Sequence, residues 1–442
     1  MILEHADRFE DGVADESALL RTKNDGTLAL RGNGRRWREL AGRRIRIKGR
    51  KRGNAVEEPV LLAAGGRDTA ATGGPTAAPI SETDPAPRKL AVILVSSPDD
   101  RARRWDPLET ERVMFSDQRS VASYFRTLSF GRIDFAGDVF GFYDIEGDGA
   151  ACDHVAIARQ AEAAALADGR DLTQYDHIMY VTPRDTACPW GGLGNMPGRH
   201  TWVSARPSDI RIAAHELGHN LGVHHAGSLG CDDAGRPSSL IGTCTTVEYG
   251  DPYSVMGFSR TGLLSNWHRT QLGLVSAAQR RDATRDGLYE LTTINDDQGG
   301  TKLLRIPRSG GEEWLALEVR TPLAPFTLEP EPSGVFVRAT PSIERRGISG
   351  LVDAAPGSPA GYGDAPLQPG QTFEDAATRS IIRVESIAGG VARVRVGFLP
   401  EAPRPAVAAD PGVARLFWPR AGDDTAVVRY EIERDGAIVG ET

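Results

Sequence analysis

Three residues in one short segment have the types and the spacing that a divalent metal ion requires. His215 and His219 are four residues apart, so a helix would place both imidazoles on one face. Glu216 lies between them and would reach a water on that metal without being a ligand itself. This segment is therefore predicted to be a metal-binding helix, and a solvated helix face is the alternative interpretation of so short a pattern.

A third ligand must come from outside this helix, because two histidines on one turn approach the ion from the same side. Gly222 stands where a helix can end in a left-handed residue, so the chain can turn back and bring His225 to the ion. His224 is the alternative third ligand, although the spacing from Gly222 favours His225. Three imidazoles and one open corner predict Zn²⁺, and no pattern indicates a structural Ca²⁺ site.

The complete pattern is H-E-x-x-H-x-x-G-x-x-H at residues 215–225, followed by a turn that contains Met256. It resembles the metzincin clan of zinc metalloproteases. Within that clan the HELGHN helix and the GDPYSVMG run at 250–257 are similar to the gametolysin-like family, peptidase family M11. The resemblance implies a secreted zinc endopeptidase that acts on peptide bonds of proteins or glycoproteins, such as those of cell walls or extracellular matrix.

The resemblance also implies roles for individual residues. Glu216 would be the general base that activates a zinc-bound water, and Met256 would form an apolar floor under the histidines. Some metzincins stabilise the oxyanion with a tyrosine two positions after this methionine, where Phe258 stands here, so Tyr249 and Tyr253 are the nearby candidates. An extended substrate would pair with a sheet edge formed by the strand that contains Thr201, Trp202 and Val203.

Composition places the chain among soluble proteins with ordinary charge content. The chain has 442 residues, a quarter of them charged, and a formal net charge of −8, which argues against nucleic acid or an anionic membrane as the main partner. No apolar run reaches the length of a membrane span, and no signal peptide is visible at the start. We expect a secreted or cell-surface protein, so either its export signal is missing from this sequence or the sequence begins at an internal boundary.

Four cysteines lie close together in the predicted catalytic segment, and their even number suits an exported protein with two disulfides. Cys231 with Cys244 would close the loop after the zinc helix, which leaves Cys152 with Cys188. Four reduced, buried thiols are the alternative. His177, in an apolar run typical of an interior strand, is interpreted as a packed, hydrogen-bonded histidine and not as a ligand.

The predicted fold class is a multidomain α+β protein, in which a metzincin-type mixed sheet carries the active-site helix. Its segments are a small OB-like β domain or propeptide at 1–66, a flexible linker at 67–88 that offers a place for activating cleavage, the catalytic domain at 89–275, a β-sandwich at 276–400, and an incomplete fibronectin type III-like module at 401–442. The last module is short for that fold, so we expect the intact protein to continue.

Two further hypotheses remain open. The basic run from Arg31 to Arg52 is a candidate contact for a polyanionic cell-wall polymer, with a solvated strand face as the alternative. The chain as a whole could be a catalytically silent metzincin scaffold that serves adhesion or polymer binding. Glu216 disfavours that alternative because it serves chemistry and contributes little to holding metal, and chelator-sensitive cleavage of an unfolded protein separates the two.

Overall fold

The computed structural model describes most of the chain. The described residues are 1–9, 12–22, 27–32, 34–67, 87–97, 105–146, 152–182, 188–204, 210–257, 261–297, 299–308, 311–322, 325–326, 333–343, 345, 347–400, 405–410, 413–418, 429–434 and 437–442. Most of the predicted linker at 67–88 therefore lies outside the described residues.

A ten-stranded mixed sheet carries the active-site helix, in the order β4-β5-β3-β2-β1-β9-β10-β8-β6-β7. Its strands are β1 Ile2–Arg8, β2 Val13–Arg21, β3 Thr27–Leu30, β4 Arg43–Arg52, β5 Ala55–Arg67, β6 Arg88–Ser96, β7 Phe135–Asp144, β8 His177–Val181, β9 Gly192–Met196 and β10 His200–Val203. Strands β6, β7, β8 and β10 run parallel, whereas β9 is antiparallel to β10.

Helices cover both faces of the parallel strands. They are α1 Pro107–Glu111, continued by a π-helical turn at Arg112–Ser116, α2 Val121–Ser129, α3 His154–Ala167, α4 Ile210–Leu221 and α5 Asn266–Gln271. Shorter 3₁₀ turns lie at Gly34–Leu40, Leu172–Gln174, Ala277–Gln279 and Gly361–Asp364. Along β6 the residues Leu90, Val92 and Leu94 pack with α2 and α4, and the alternating residues between them face α3. The apolar run of β6 is continuous because both of its faces are buried.

The N-terminal strands, predicted as an OB-like domain or propeptide at 1–66, continue the sheet of the catalytic segment. Strand β1 pairs with β9 from Leu3 opposite Met196 to Asp7 opposite Gly192, so β1–β5 extend the catalytic sheet. Met196 also joins the apolar cluster of the N-terminal strands. The sequence could not show this pairing, because it joins segments almost 190 residues apart.

Two further sheets pack around a common apolar core, as a β-sandwich requires. One has the order β12-β11-β19-β18-β17-β16-β14, with β13 also paired to β11, and the other has the order β15-β22-β21-β20. Their strands are β11 Ala226–Asp233, β12 Arg236–Ser238, β13 Thr243–Val247, β14 Arg280–Asp282, β15 Gly287–Thr292, β16 Leu303–Arg308, β17 Glu313–Arg320, β18 Gly334–Pro341, β19 Ser349–Val352, β20 Thr372–Asp375, β21 Ser380–Ala388 and β22 Val391–Phe398.

The sandwich begins earlier than the predicted boundary at 275. Strand β11 directly follows His225 and runs parallel to β19, with Ala226 opposite Ser349. The segment after the zinc-helix motif therefore belongs to the same sheet as the later β-strands. Sequence order alone suggested a boundary there, because the pairing partner of β11 comes more than 100 residues later.

Both predicted disulfides are present, Cys152–Cys188 and Cys231–Cys244. The second joins β11 to β13, where the two cysteines face each other. The C-terminal part forms two hairpins, β23 Ala406–Asp410 with β24 Val413–Phe417 and β25 Glu431–Arg434 with β26 Ala437–Glu441. Several of its residues lie outside the described ranges, and the fibronectin type III-like module stays a prediction. Among the described residues no helix has the length and apolarity to cross a bilayer.

Candidate metal and catalytic centre

Helix α4 carries His215, Glu216 and His219, and it ends as the sequence predicts. Gly222 has a φ of +100°, and the backbone N–H of Val223 donates to the carbonyl oxygen of Gly218 at 3.1 Å. This left-handed residue satisfies carbonyls at the end of the helix and reverses the chain. His225 thereby returns to the face of the helix that His215 and His219 occupy.

The three predicted ligand histidines converge on one point. His215, His219 and His225 are fully buried, and one ring nitrogen of each lies within 4.8 Å of the others, together with a carboxylate oxygen of Asp7. The Nε2 atoms of His219 and His225 are 3.1 Å apart. His224 is not part of this group: its Nε2 bonds to Glu16 at 3.0 Å, and its Nδ1 accepts the backbone N–H of His225.

Each of the three rings is fixed from its other side. The Nδ1 atom of His215 donates to the carbonyl of Val255 at 2.8 Å, and that of His219 donates to the carbonyl of Val223 at 2.9 Å. The Nδ1 atom of His225 faces the carboxylate of Glu248 at 3.0 Å. When all three rings are neutral with the proton on Nδ1, each presents a lone pair at Nε2, and these lone pairs face the same point as the Asp7 carboxylate. A divalent cation fits this set of donors.

Met256 packs against helix α4 at Gly218. A Cβ at Gly218 would lie 2.6 Å from the sulfur of Met256, so only glycine lets the helix approach this closely. The carbonyl of Met256 accepts the backbone N–H of Ala226 at 2.9 Å. The methionine turn therefore supports both the helix and the chain that follows His225.

Glu216 is buried between the histidines and strand β9. A Cβ at Gly192 would lie 2.0 Å from Oε1 of Glu216, and one at Gly194 would lie 2.9 Å from Oε2. The glycines of β9 thus leave the space that the carboxylate fills. Burial and the neighbouring Asp7 carboxylate raise the pKa of Glu216 well above its ordinary value.

Asp7 is a site residue that sequence reasoning missed. Its carboxylate oxygens lie 3.0 Å from Nε2 of His225 and 3.3 Å from Nε2 of both His215 and His219. The hydroxyl of Tyr249 donates to it as well. Burial opposes ionisation, but the charge of His225 and bonds from the three imidazoles lower the pKa of Asp7 well below its ordinary value. The only sequence signal was that His5 and Asp7 share one face of a strand.

Burial lowers the pKa of both His215 and His225, but the carboxylates around His225 reverse the direction there. Burial lowers the pKa of His215 to about 4, so this ring is neutral at pH 7, the state a metal ligand requires. For His225 burial acts in the same direction, but the charge of Asp7 and hydrogen bonds to Asp7 and Glu248 raise the pKa to about 9. Asp7 therefore controls the charge of the third histidine.

The strand expected to bind substrate does not lie at an edge. Thr201, Trp202 and Val203 belong to β10, which pairs with β8 on one side and β9 on the other, and all three are buried. Strand β9 lies between β10 and β1 and contacts Glu216 instead. Its Gly-rich sequence has low β-propensity, which explains why sequence patterns did not identify it.

The two candidate tyrosines occupy different places. The ring of Tyr249 lies 4.4 Å from the ring of His225, next to Asp7. Tyr253 points away, packs on Phe336 and donates to the carbonyl of Tyr362 at 2.7 Å. Phe258 lies outside the described residues. His177 is buried in β8 and bonds to Asn220 at 3.0 Å, which agrees with its interpretation as a packed histidine.

Comparison with known proteins points to the same chemistry as the site. No curated protein sequence matches the chain. A solved structure described as "Structure of a chaperone-substrate complex" matches 33% of this chain and 26% of its own length, at 16% identity and a TM-score of 0.21, too slight a likeness to inform fold or function. Residues 110–268, which include the histidines of the site, match the sequence model of the family "Gametolysin peptidase M11", and this match supports a metallopeptidase.

Proposed function

We propose that the chain is a zinc-dependent endopeptidase whose metal is held by His215, His219 and His225. The convergence of three Nε2 atoms, on rings that are each fixed through Nδ1, carries this proposal. A bound Zn²⁺ would lower the pKa of a water molecule to about 7 and would polarise the carbonyl of the scissile bond. The match of residues 110–268 to a metallopeptidase family supports the same reaction class.

Glu216 is the proposed general base. It follows His215 on the helix, it is buried beside the metal-binding atoms, and burial together with the Asp7 carboxylate raises its pKa, which favours its holding a proton. In this role it accepts a proton from the attacking water and delivers that proton to the leaving amine. Such proton transfer contributes about 10²- to 10⁴-fold to a rate.

Tyr249 is the proposed donor to the oxyanion that develops on the scissile carbonyl. Its hydroxyl already donates to a negatively charged oxygen, that of Asp7, at the point where the histidine nitrogens meet. A buried hydroxyl aimed at this point can donate to a peptide oxygen in the same way. The hydroxyl of Tyr253 bonds elsewhere, which favours Tyr249 of the two candidates.

The substrate would be an extended peptide of a protein or glycoprotein that pairs with β9. This strand contacts Glu216 and offers its second edge to the partner strand β1. Backbone pairing of this kind holds many side-chain sequences, as an endopeptidase requires. Two disulfides are compatible with an extracellular protein, and we place its substrates among cell-wall or matrix proteins.

The test combines metal content with hydrolysis of an unfolded protein. The Asp7 carboxylate faces the metal-binding atoms, where the attacking water would have to lie. Both measurements therefore use the Asp7→Ala chain, in which this position is free. Adding Glu216→Gln should lower the hydrolysis rate about 10²- to 10⁴-fold and leave one zinc per chain. Glu374→Gln, at an exposed position of β20, is the matched control and should change neither quantity. Undiminished hydrolysis in the Glu216→Gln chain, or no zinc in any chain, contradicts the proposal.

A further inference from the structure

We infer that Asp7 is a fourth protein ligand of the metal, and that strand β1 fills the substrate site, so that the chain in this form is latent. This inference rests on the proposed function, because it concerns the same metal. It assigns a role to the N-terminal strands that the metal-binding helix does not itself require. Three independent sets of contacts support it.

The first set is the position of the Asp7 carboxylate. It is fully buried, and its two oxygens lie 3.0 to 3.3 Å from all three histidine Nε2 atoms. A metal at the meeting point of these nitrogens would have three nitrogen ligands and one carboxylate oxygen. Four protein ligands close a tetrahedral zinc site, whereas a catalytic site keeps one position open for water. Asp7 therefore occupies the place that the attacking water needs.

The second set is the pairing of β1 with β9. Five residues, from Leu3 to Asp7, run antiparallel to Gly192–Met196, as an extended peptide would. Asp7 lies opposite Gly192, the residue whose missing Cβ makes room for Glu216. The register thus brings Asp7 to both the metal-binding atoms and the general base. A substrate must take the same edge of β9, so it cannot pair there until β1 leaves.

The third set fixes the N-terminal strands around the centre. The ring of His5 stacks on that of His219 with centroids 4.5 Å apart. Arg38 bonds to Glu16 at 2.9 Å and reaches Glu248, the partner of His225, at 3.3 Å. These contacts hold the N-terminal strands against the histidine segment, and we expect them to oppose the exchange of β1 for a peptide.

The experiment measures whether the metal in the folded chain has an open position, independently of any activity. The chain is loaded with Co²⁺, and its visible absorption spectrum is recorded as azide is added. We expect azide to leave the spectrum of the unaltered chain unchanged and to change that of Asp7→Ala, where the fourth position is free. Asp15→Ala is the control, because Asp15 lies in β2 with its side chain 67% exposed and pairs only at the surface with Arg8.

Further readouts separate this inference from the proposed function. Asp7→Ala should lower zinc affinity by roughly 10- to 100-fold or more, since loss of a group that only supports a ligand already has an effect of that size. The same variant should hydrolyse an unfolded protein faster than the unaltered chain does. If the unaltered chain binds Co²⁺ and takes azide as readily as Asp7→Ala, the inference is overturned and the peptidase proposal stands. If neither chain binds metal, the proposed function fails first. Should Asp7→Ala not fold, the azide titration of the unaltered chain and of Asp7→Asn still decides.

Discussion

Gly218 and Met256 are in contact across the floor of the metal centre, at a distance that no larger residue at position 218 permits. The glycine lies one residue before His219, and an added Cβ would lie 2.6 Å from the methionine sulfur and 3.4 Å from its methyl carbon. Val255, the neighbour of Met256, accepts the hydrogen bond that orients His215. The turn at 253–257 therefore determines how closely helix α4 packs against it and how the ring of His215 is oriented.

We expect Gly218→Ala to weaken zinc binding and to lower stability by about 1–3 kcal/mol, the usual cost of overpacking a core. The added methyl must push the helix or the methionine aside, which displaces His215 and His219 relative to His225. Zinc affinity from a competition titration and the thermal midpoint measure this effect. Gly397→Ala is the matched control, because a Cβ there meets only an atom 4.0 Å away. Equal behaviour of the two variants contradicts the prediction.

Gly192→Ala should separate catalysis from metal binding. A Cβ at this position would lie 2.0 Å from Oε1 of Glu216, and the three atoms nearest to it all belong to Glu216, so the carboxylate must rotate away first. In the Asp7→Ala background we expect hydrolysis of an unfolded protein to fall about 10²-fold or more, with zinc content unchanged. Loss of zinc together with activity would show instead that β9 supports the ligands.

Acid should destabilise the catalytic sheet through His177. Burial, and to a lesser extent the charge of Arg88, lower the pKa of this histidine to about 3. In the unfolded chain this histidine has an ordinary pKa, so below pH 6.5 the unfolded chain binds a proton more readily than the folded chain does. The free energy of unfolding therefore keeps the full contribution of His177 above pH 6.5 and loses it as the pH decreases toward 3. At pH 5 the loss from this residue is about 2 kcal/mol.

Urea titrations of the unaltered chain and of His177→Gln, at pH 7.5 and pH 5, measure this effect. The glutamine keeps a donor for Asn220 but does not titrate. The difference in unfolding free energy between the two pH values should be smaller in the variant by about 2 kcal/mol. The other buried histidines contribute equally to both chains, so an identical pH dependence in the two contradicts this prediction.

Arg338→Met should destabilise the protein by about 3–5 kcal/mol, because it leaves a buried carboxylate without its cation. Arg338 of β18 bonds to Asp251 at the start of the methionine turn, and both side chains are at most 1% exposed. The thermal midpoint and the zinc affinity should therefore fall together. Arg395→Met, which removes a half-exposed pair with Glu385, serves as control and should cost less than about 1 kcal/mol.

Hydrogen bonds from the β-sandwich also cross the predicted boundary at 275. Arg320 of β17 donates to the carbonyls of Tyr253 at 2.7 Å and Leu263 at 3.2 Å, so a strand of the sandwich holds the methionine turn. No periodicity in the sequence relates a residue of a turn to a strand some 60 residues later. Charge pairing inside a core depends on which elements pack together, and only the tertiary structure decides that.

Local chemistry in the sequence determined the core of the site. The spacing of His215, His219 and His225, with Gly222 between the last two, was sufficient to predict a helix, a reversal and the convergence of the three imidazoles, because each step depends on near neighbours. The cysteine pairs, the buried strand β6 and the packed histidine were predictable for the same reason. Each rests on residue type, alternation or short spacing.

The tertiary structure alone decided what stands opposite the histidines. Asp7 lies more than 200 residues before them, and nothing in the sequence of the N-terminal strands indicates that β1 pairs with β9. Pairing between strands depends on which edge is open and which faces are buried once the chain has folded. The sequence thus determined the histidines that can hold a metal, and the packing of distant strands placed the Asp7 carboxylate against them.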